Sequence, residues 1–134
     1  MNIQLVPLSL IHQTWPLVEK FLESGLEHAE DDYTIDQVKA ELAKGSWMLL
    51  VAVDEVGIQG AMTINIYNAS NHRIAFVTST GGRFIINKDT FKQLCNLVKG
   101  FGATKVRGVG RDSVVRLLSS VGMKKRYTIF EADL

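Results

Sequence analysis

Two glycine clusters, each followed by an arginine, stand out in the 134 residues as candidates for chemistry. Gly81-Gly82 runs into Arg83, and Gly108-Val109-Gly110 runs into Arg111. Glycine lets a backbone approach a ligand closely, and a guanidinium favours phosphate or carboxylate. A glycine pair also makes a turn or a bulge, so both readings stay open for Gly81 and Gly82. Gly108-x-Gly110-Arg111 is half of a dinucleotide fingerprint, but it follows a short strand late in the chain with no βαβ unit around it, and is a weak signal. His12, His28 and His72 have no metal-ligand spacing with Cys95, and no Ser-His-Asp arrangement can be read. Cys95 falls in a helical apolar pattern, which suits packing better than nucleophilic chemistry.

Charge is distributed unevenly. Residues 1–82 hold 10 acids and 4 bases, net −6, whereas 83–126 hold 2 acids and 11 bases, net +9. Such a basic region suits an anionic ligand, nucleic acid or an acidic partner, and also arises when lysines and arginines simply solvate helix faces. No nucleic-acid-binding motif is present, which leaves nucleic acid the least favoured of these partners.

The elements that would position these residues follow from apolar periodicity. Ile3 to Leu8 reads as an edge strand ending near Pro7, with Ser9 as a helix cap. Trp15, Val18, Phe21, Leu22 and Leu26 recur at helical spacing, placing Pro16 in the first turn of a helix that runs to about Glu27. Glu27, Glu30, Asp31 and Asp32 form an acidic loop. Thr34 and Gln37 have capping-box spacing for a second helix with Ile35, Val38 and Leu42 on one face, ended by Gly45. Trp47–Val53 and Ile58–Tyr67 flank the turn residues Asp54 to Gly57 as a hairpin, and Arg73–Ser79 adds a third antiparallel strand before Gly81 and Gly82 break the pattern. Asn87 caps a third helix carrying Phe91, Leu94, Val98 and Phe101, closed by Gly100 and Gly102. Lys105–Val109 is a short strand. Asp112 caps a fourth helix with Val114, Leu117, Leu118 and Val121 inward, and Met123–Ala132 is a final strand with Tyr127 and Ile129 opposite Thr128 and Phe130.

The order is β-α-α-β-β-β-α-β-α-β in one domain, residues 1–134, of α/β (α+β) class. With 46% hydrophobic and 22% charged residues the chain is globular, and its size allows about two-thirds of the unfolded surface to be buried without disulfide or metal. A single cysteine points to a reducing compartment. The first ten residues lack a basic n-region, and no apolar run approaches the roughly 18 residues of a membrane span, so a soluble cytoplasmic protein, or a component of a phage particle, is expected.

That order resembles the GNAT superfamily of N-acetyltransferases over nearly the whole chain. Phe101-Gly102-Ala103-Thr104-Lys105-Val106 is similar to the family's helix exit into its fifth strand. Arg111 to Met123, ending Ser120-Val121-Gly122-Met123, is similar to its last helix and glycine exit. Two glycines after the fourth strand and a Gly-Arg before the last helix look similar to small members in bacteriophages. The resemblance implies a mixed, mostly antiparallel sheet of six to seven strands flanked by about four helices. It also implies a parallel pair between the strands at 73–79 and 105–109, with acetyl-CoA held where these two splay. Val77, Ser79, Gly81 and Gly82 would then line the pantetheine arm and Arg83 the phosphates at the start of the third helix, whose free N–H groups and partial positive charge suit an anion.

The chain departs from that pattern in three places. The family's Arg/Gln-x-x-Gly-x-Gly/Ala spacing is absent, with Phe84, Ile85 and Ile86 intervening before the helix. The last-helix tyrosine that serves as acid corresponds to Leu118. No Asp or Glu lies between Val56 and Lys88 to act as base; Glu55, His72 and Tyr127 are the nearest titratable groups. No catalytic residue is therefore assigned. The expected activity is acetyl transfer from acetyl-CoA to an amine on a small molecule or peptide; the alternative is a noncatalytic binding or structural protein of this fold, of a phage or prophage, with self-association open in either case.

Overall fold

The computed structural model describes residues 1–27, 32–85 and 87–134, so that His28, Glu30, Asp31 and Ile86 of the segments above lie outside the described residues. Five strands form one sheet in the order β1 (Asn2–Val6), β2 (Met48–Val53), β3 (Ile58–Asn68), β4 (Arg73–Gly82) and β5 (Lys105–Arg107). The first four are antiparallel neighbours and β4–β5 is parallel, joined across α3 (Lys88–Lys99) as a helical crossover requires. This is the mixed, mostly antiparallel sheet expected from the sequence, with five strands rather than six or seven.

Strand alternation divides the core between two faces. Leu50, Ala52, Met62, Ile64 and Ala75 pack under α3 with Leu94 and Val98. Leu49, Val51 and Ala61 pack under α1 (Ile11–Leu26) and α2 (Ile35–Ala43) with Trp15, Val18, Leu22, Val38 and Leu42. The capping boxes Thr34–Gln37 and Asn87–Thr90 both form, starting α2 and α3 at the expected residues. Gln93 on α3 ties down the edge strand, its Oε1 accepting from the Ile3 N–H at 2.8 Å and its Nε2 donating to the Met1 carbonyl at 3.0 Å. A strand edge that would otherwise template foreign pairing is thus partly satisfied from within. Among the described residues no helix is long and apolar enough to cross a membrane.

Several local expectations need correction. Helix α1 starts at Ile11, after a 3-10 turn at Leu8–Leu10, and Ser9 makes no cap. The buried stripe Ile11, Trp15, Val18, Leu22 begins one turn before Trp15, leaving Pro16 inside the helix. Pro16 and His12, whose carbonyl loses its partner, are both exposed, so water can take the place of the missing bond. Gly81 and Gly82 end β4 rather than interrupt it. α4 spans Asp112–Ser119 with Arg111 at the N-cap and no side-chain cap, and Asp112 instead pairs with Lys125 at 3.5 Å in the open, where an ion pair contributes little. Leu94 and Val98 are buried as expected and Phe91, Leu118 and Val121 are half-buried, but Leu117 is 70% exposed. Residues 123–132 form no strand, and Lys124 to Leu134 are exposed throughout. A strand needs a partner edge, and β5 presents only Lys105–Arg107, which this segment does not reach.

Candidate functional site: the splay of β4 and β5

β4 and β5 are paired at Ile74–Lys105, Ala75–Val106 and Phe76–Arg107, and there the ladder stops while β4 continues from Val77 to Gly82. The divergence has a local cause. Opposite β3 the register passes from Ile64–Val77 to Thr63–Ser79, making Thr78 the extra residue of a bulge. A bulge bends its strand and increases the local twist. Here it lies just past the last β4–β5 pair, where β4 goes on without β5. The backbone edge of Val77–Gly82 that β5 would have paired is left facing the gap.

Three buried hydroxyls hold the bulge. Thr63 Oγ1 and Thr78 Oγ1 lie 2.7 Å apart, and Thr63 Oγ1 also hydrogen-bonds Ser79 Oγ. Thr63 is 0% exposed and Ser79 7%. A buried hydroxyl without a partner is costly, so this trio fixes the position of the extra residue. Nothing in a single sequence distinguishes Thr78 from a regular strand residue, because the bulge depends on its pairing with β3.

The far end of β4 is held by α1 through glycine. A Cβ on Gly81 would lie 1.7 Å from the Phe21 carbonyl oxygen, and one on Gly25 would lie 1.8 Å from that of Thr80. Helix and strand backbones therefore touch, drawing the end of β4 toward α1. Gly82, at φ +71°, has Gln59 O 2.5 Å from its would-be Cβ. Both glycines are explained by this close packing.

The structure places the expected site residues as follows. Val77 packs partly into the α3-side core and Ser79 is engaged by Thr63. Gly81 and Gly82 sit beneath α1, and Arg83 is exposed just beyond, its N–H donating to Gln59 O at 2.9 Å. At the start of α3, Asn87 Oδ1 accepts from the Thr90 N–H at 3.0 Å, and Asp89 already places a carboxylate in the first turn. Leu118 is half-buried on α4. His72 lies at the opposite end of β4 beside Thr104 Oγ1, at 3.1 Å, roughly 25–30 Å along the strand from Gly82. Tyr127 is on the exposed tail at 65%. Glu55 shares the Gly82 end of the sheet, in the β2–β3 turn. Sequence reading missed Arg107, which ends the β4–β5 ladder and whose buried Nε has no hydrogen-bond partner among the described residues. Gly108 follows it with Val77 Cβ 3.6 Å from its would-be Cβ, so the two sides of the gap begin in contact. Two concavities touch neither β4 nor β5, one along Met1, Asn2 and Val53–Val56 and one lined by apolar residues including Leu5 and Trp47.

Two titratable groups depart from ordinary values. Burial pushes the Cys95 thiol up, against the opposing effect of Lys99, which keeps it protonated at neutral pH and unsuited to nucleophilic work. The Asp54 carboxylate in the β2–β3 turn is held below the usual range, chiefly by the Val56 N–H, with desolvation opposing and the Gly57 N–H, Gln59 side chain and Arg83 charge reinforcing. Because folding lowers this pKa, the ionised turn contributes stability above the unfolded value of about 4 and loses it as pH falls through the lower folded value. Asp54→Asn should be less stable than the parent near neutral pH, with the gap narrowing as pH falls below about 4. Urea titrations at the two pH values check this, and a gap of constant size would contradict it.

No family model matches the sequence, and no curated protein is similar to it. Solved structures do share the fold. A probable acetyltransferase superposes with a TM-score of 0.67 at 13% identity, over 100% of both chains. An aminoglycoside acetyltransferase from an uncultured soil metagenomic sample, in complex with sisomicin, gives 0.70 at 14% identity over 99% of this chain and 95% of that one. A predicted acetyltransferase from Clostridium acetobutylicum, with acetyl-CoA, gives 0.65 at 14% identity over 98% and 95%.

Proposed function

From a fold shared with acetyltransferase structures, the GNAT-like architecture expected from the sequence, we propose that the chain binds an acyl-CoA in the gap between β4 and β5 and presents its acyl group to an amine. The observation that carries this reading is the coincidence of the Thr78 bulge with the end of the β4–β5 ladder, which leaves the Val77–Gly82 edge unpaired by β5. Exposed backbone donors and acceptors in a cleft want polar partners, and a pantetheine arm carries two amides that can run along such an edge as a strand would. Its thioester would supply the activated acyl group. Arg83, with Lys88 at the first residue of α3, would meet the phosphates as side-chain cations, since the α3 terminus carries its own cap and acid. With Leu118 at the position of the family's acid and no carboxylate on the central strands, the chain's contribution to the reaction would be orientation and proximity, which alone can supply a large part of a barrier reduction.

Acetyl-CoA should raise the melting temperature by several degrees at saturating concentration, since about 100 Kd of ligand stabilises by about 2.7 kcal/mol. Arg83→Ala should reduce the shift. A flat calorimetric titration with unchanged melting would end the reading. The second reading, a noncatalytic binder of this fold, is favoured by the same missing acid and base; it predicts that CoA binds while no panel of small-molecule or peptide amines becomes acetylated.

A further inference from the structure

Thr78, Thr63 and Ser79 form a buried chain of hydroxyls beside the gap, with Thr63 in the middle. An unbulged strand would send Thr78 and Ser79 to opposite faces of the sheet; the bulge brings both hydroxyls to Thr63. Met62 and Ile64, which flank Thr63, and Val77, which precedes Thr78, all pack toward α3, so the hydroxyls lie on the other face. Each hydroxyl has one proton and can accept as well as donate. Two hydrogen bonds join three hydroxyls, so one proton is left over. Were it the proton of Thr63, which is 0% exposed and has no further acceptor among the described residues, it would be buried without a partner. The two O–H bonds therefore point the same way along the chain. One end offers a free proton and the other an open oxygen, and these ends are Ser79 and Thr78, which keep 7% and 8% exposure.

Resting on the acyl-CoA reading of the gap, we infer that this chain of hydroxyls carries the proton of the acyl transfer, in place of the acid and base that the protein lacks. The direction follows from Arg83. With phosphates there, a pantetheine arm running back along β4 brings its sulfur to Ser79 before its acyl carbon reaches Thr78. The neutral amine attacks the thioester carbon, and the C–N bond forms as the C–S electron pair leaves on sulfur. The amine proton passes to Thr78 Oγ1, the Thr78 proton to Thr63 Oγ1, the Thr63 proton to Ser79 Oγ and the Ser79 proton to sulfur. Amide and free thiol result. A hydroxyl is a poor acid and a poor base at neutral pH, and here none has to hold a charge, because each gives up one proton as it gains another. The chain is left pointing the other way, and rotation of the three O–H bonds resets it.

The test uses the full chain with acetyl-CoA and benzylamine as the probe amine, following N-benzylacetamide in mixtures of H2O and D2O. Several protons in flight should make the plot of rate against deuterium fraction bow in the parent. Ser79→Ala and Thr78→Val should each lower kcat roughly 10²-fold and remove the curvature, with the melting shift given by acetyl-CoA retained. Thr63→Ser keeps the oxygen and should keep both rate and curvature, whereas Thr63→Val should lose both. A straight plot in the parent, or a Ser79→Ala chain as fast as the parent, would overturn the inference. So would a joint loss of rate and melting shift in the variants, since the hydroxyls would then act only by holding the bulge. Acetyl-CoA that binds without amide formation overturns it too, leaving the gap reading in its noncatalytic form; absence of binding ends that reading as well. Should Thr63→Val fail to fold, the curvature in the parent and in Thr63→Ser decides.

Discussion

Gly25→Ala is expected to destabilise the protein by roughly 2–4 kcal/mol, although alanine in a helix is ordinarily about 1 kcal/mol better than glycine. Helix propensity is the smaller effect here. The new methyl would lie 1.8 Å from the Thr80 carbonyl oxygen and 2.7 Å from its carbon, both backbone atoms that cannot rotate aside. Either the end of α1 lifts by more than about 1 Å or the end of β4 is pushed down, and Leu22 and the partly buried Phe21 and Leu26 lose packing with it. Gly108→Ala is the control, since its Cβ would meet only Val77 Cβ at the ordinary distance of 3.6 Å. Urea unfolding of both variants makes the comparison. A Gly25→Ala chain as stable as the parent would mean that α1 does not rest on the backbone of β4. The functional consequence is separate: if α1 holds the second half of β4 away from β5, Gly25→Ala should also weaken any ligand held in the gap, whereas Gly108→Ala leaves α1 seated.

The parts of this architecture legible in the sequence are those decided by neighbours in the chain. Thr34 with Gln37, by capping-box spacing, and Asn87, as a cap residue, announce two helix starts because capping is a local exchange of hydrogen bonds. Met48–Val53 is legible as a continuous apolar run and Ile58–Asn68 by its alternation, because these patterns and the Asp54–Gly57 turn between them are local too. The parallel pairing of β4 with β5 is what the family resemblance implies, and a crossover helix of this length suits it. What the sequence hid depends on contacts between distant segments. The bulge exists because Thr63 binds both Thr78 and Ser79, a register choice that no run of residues reveals. Gly81 reads alike as a ligand-approaching glycine, a turn, or a seat for a helix, and the third reading needs Phe21 and Gly25 to be seen beside it.

The contrast between Leu94 and Leu117 is the largest expected among substitutions of one type. Both look inward by helical spacing, but Leu94 is 0% exposed within the α3-side core, whereas Leu117 is 70% exposed on α4. Periodicity establishes that a helix has an apolar face; it does not establish that another part of the same chain covers that face. Leu94→Ala removes methyl groups from a site closed by Leu50, Met62 and Val98, so the cavity adds to the lost transfer free energy and the cost should be 2–5 kcal/mol, on the order of a third of a typical domain's stability. Leu117→Ala removes atoms already in water and, measured where the chain is monomeric, should cost under about 0.5 kcal/mol. Denaturant midpoints of the two variants at low protein concentration give the answer. Equal losses would place α4 against the core.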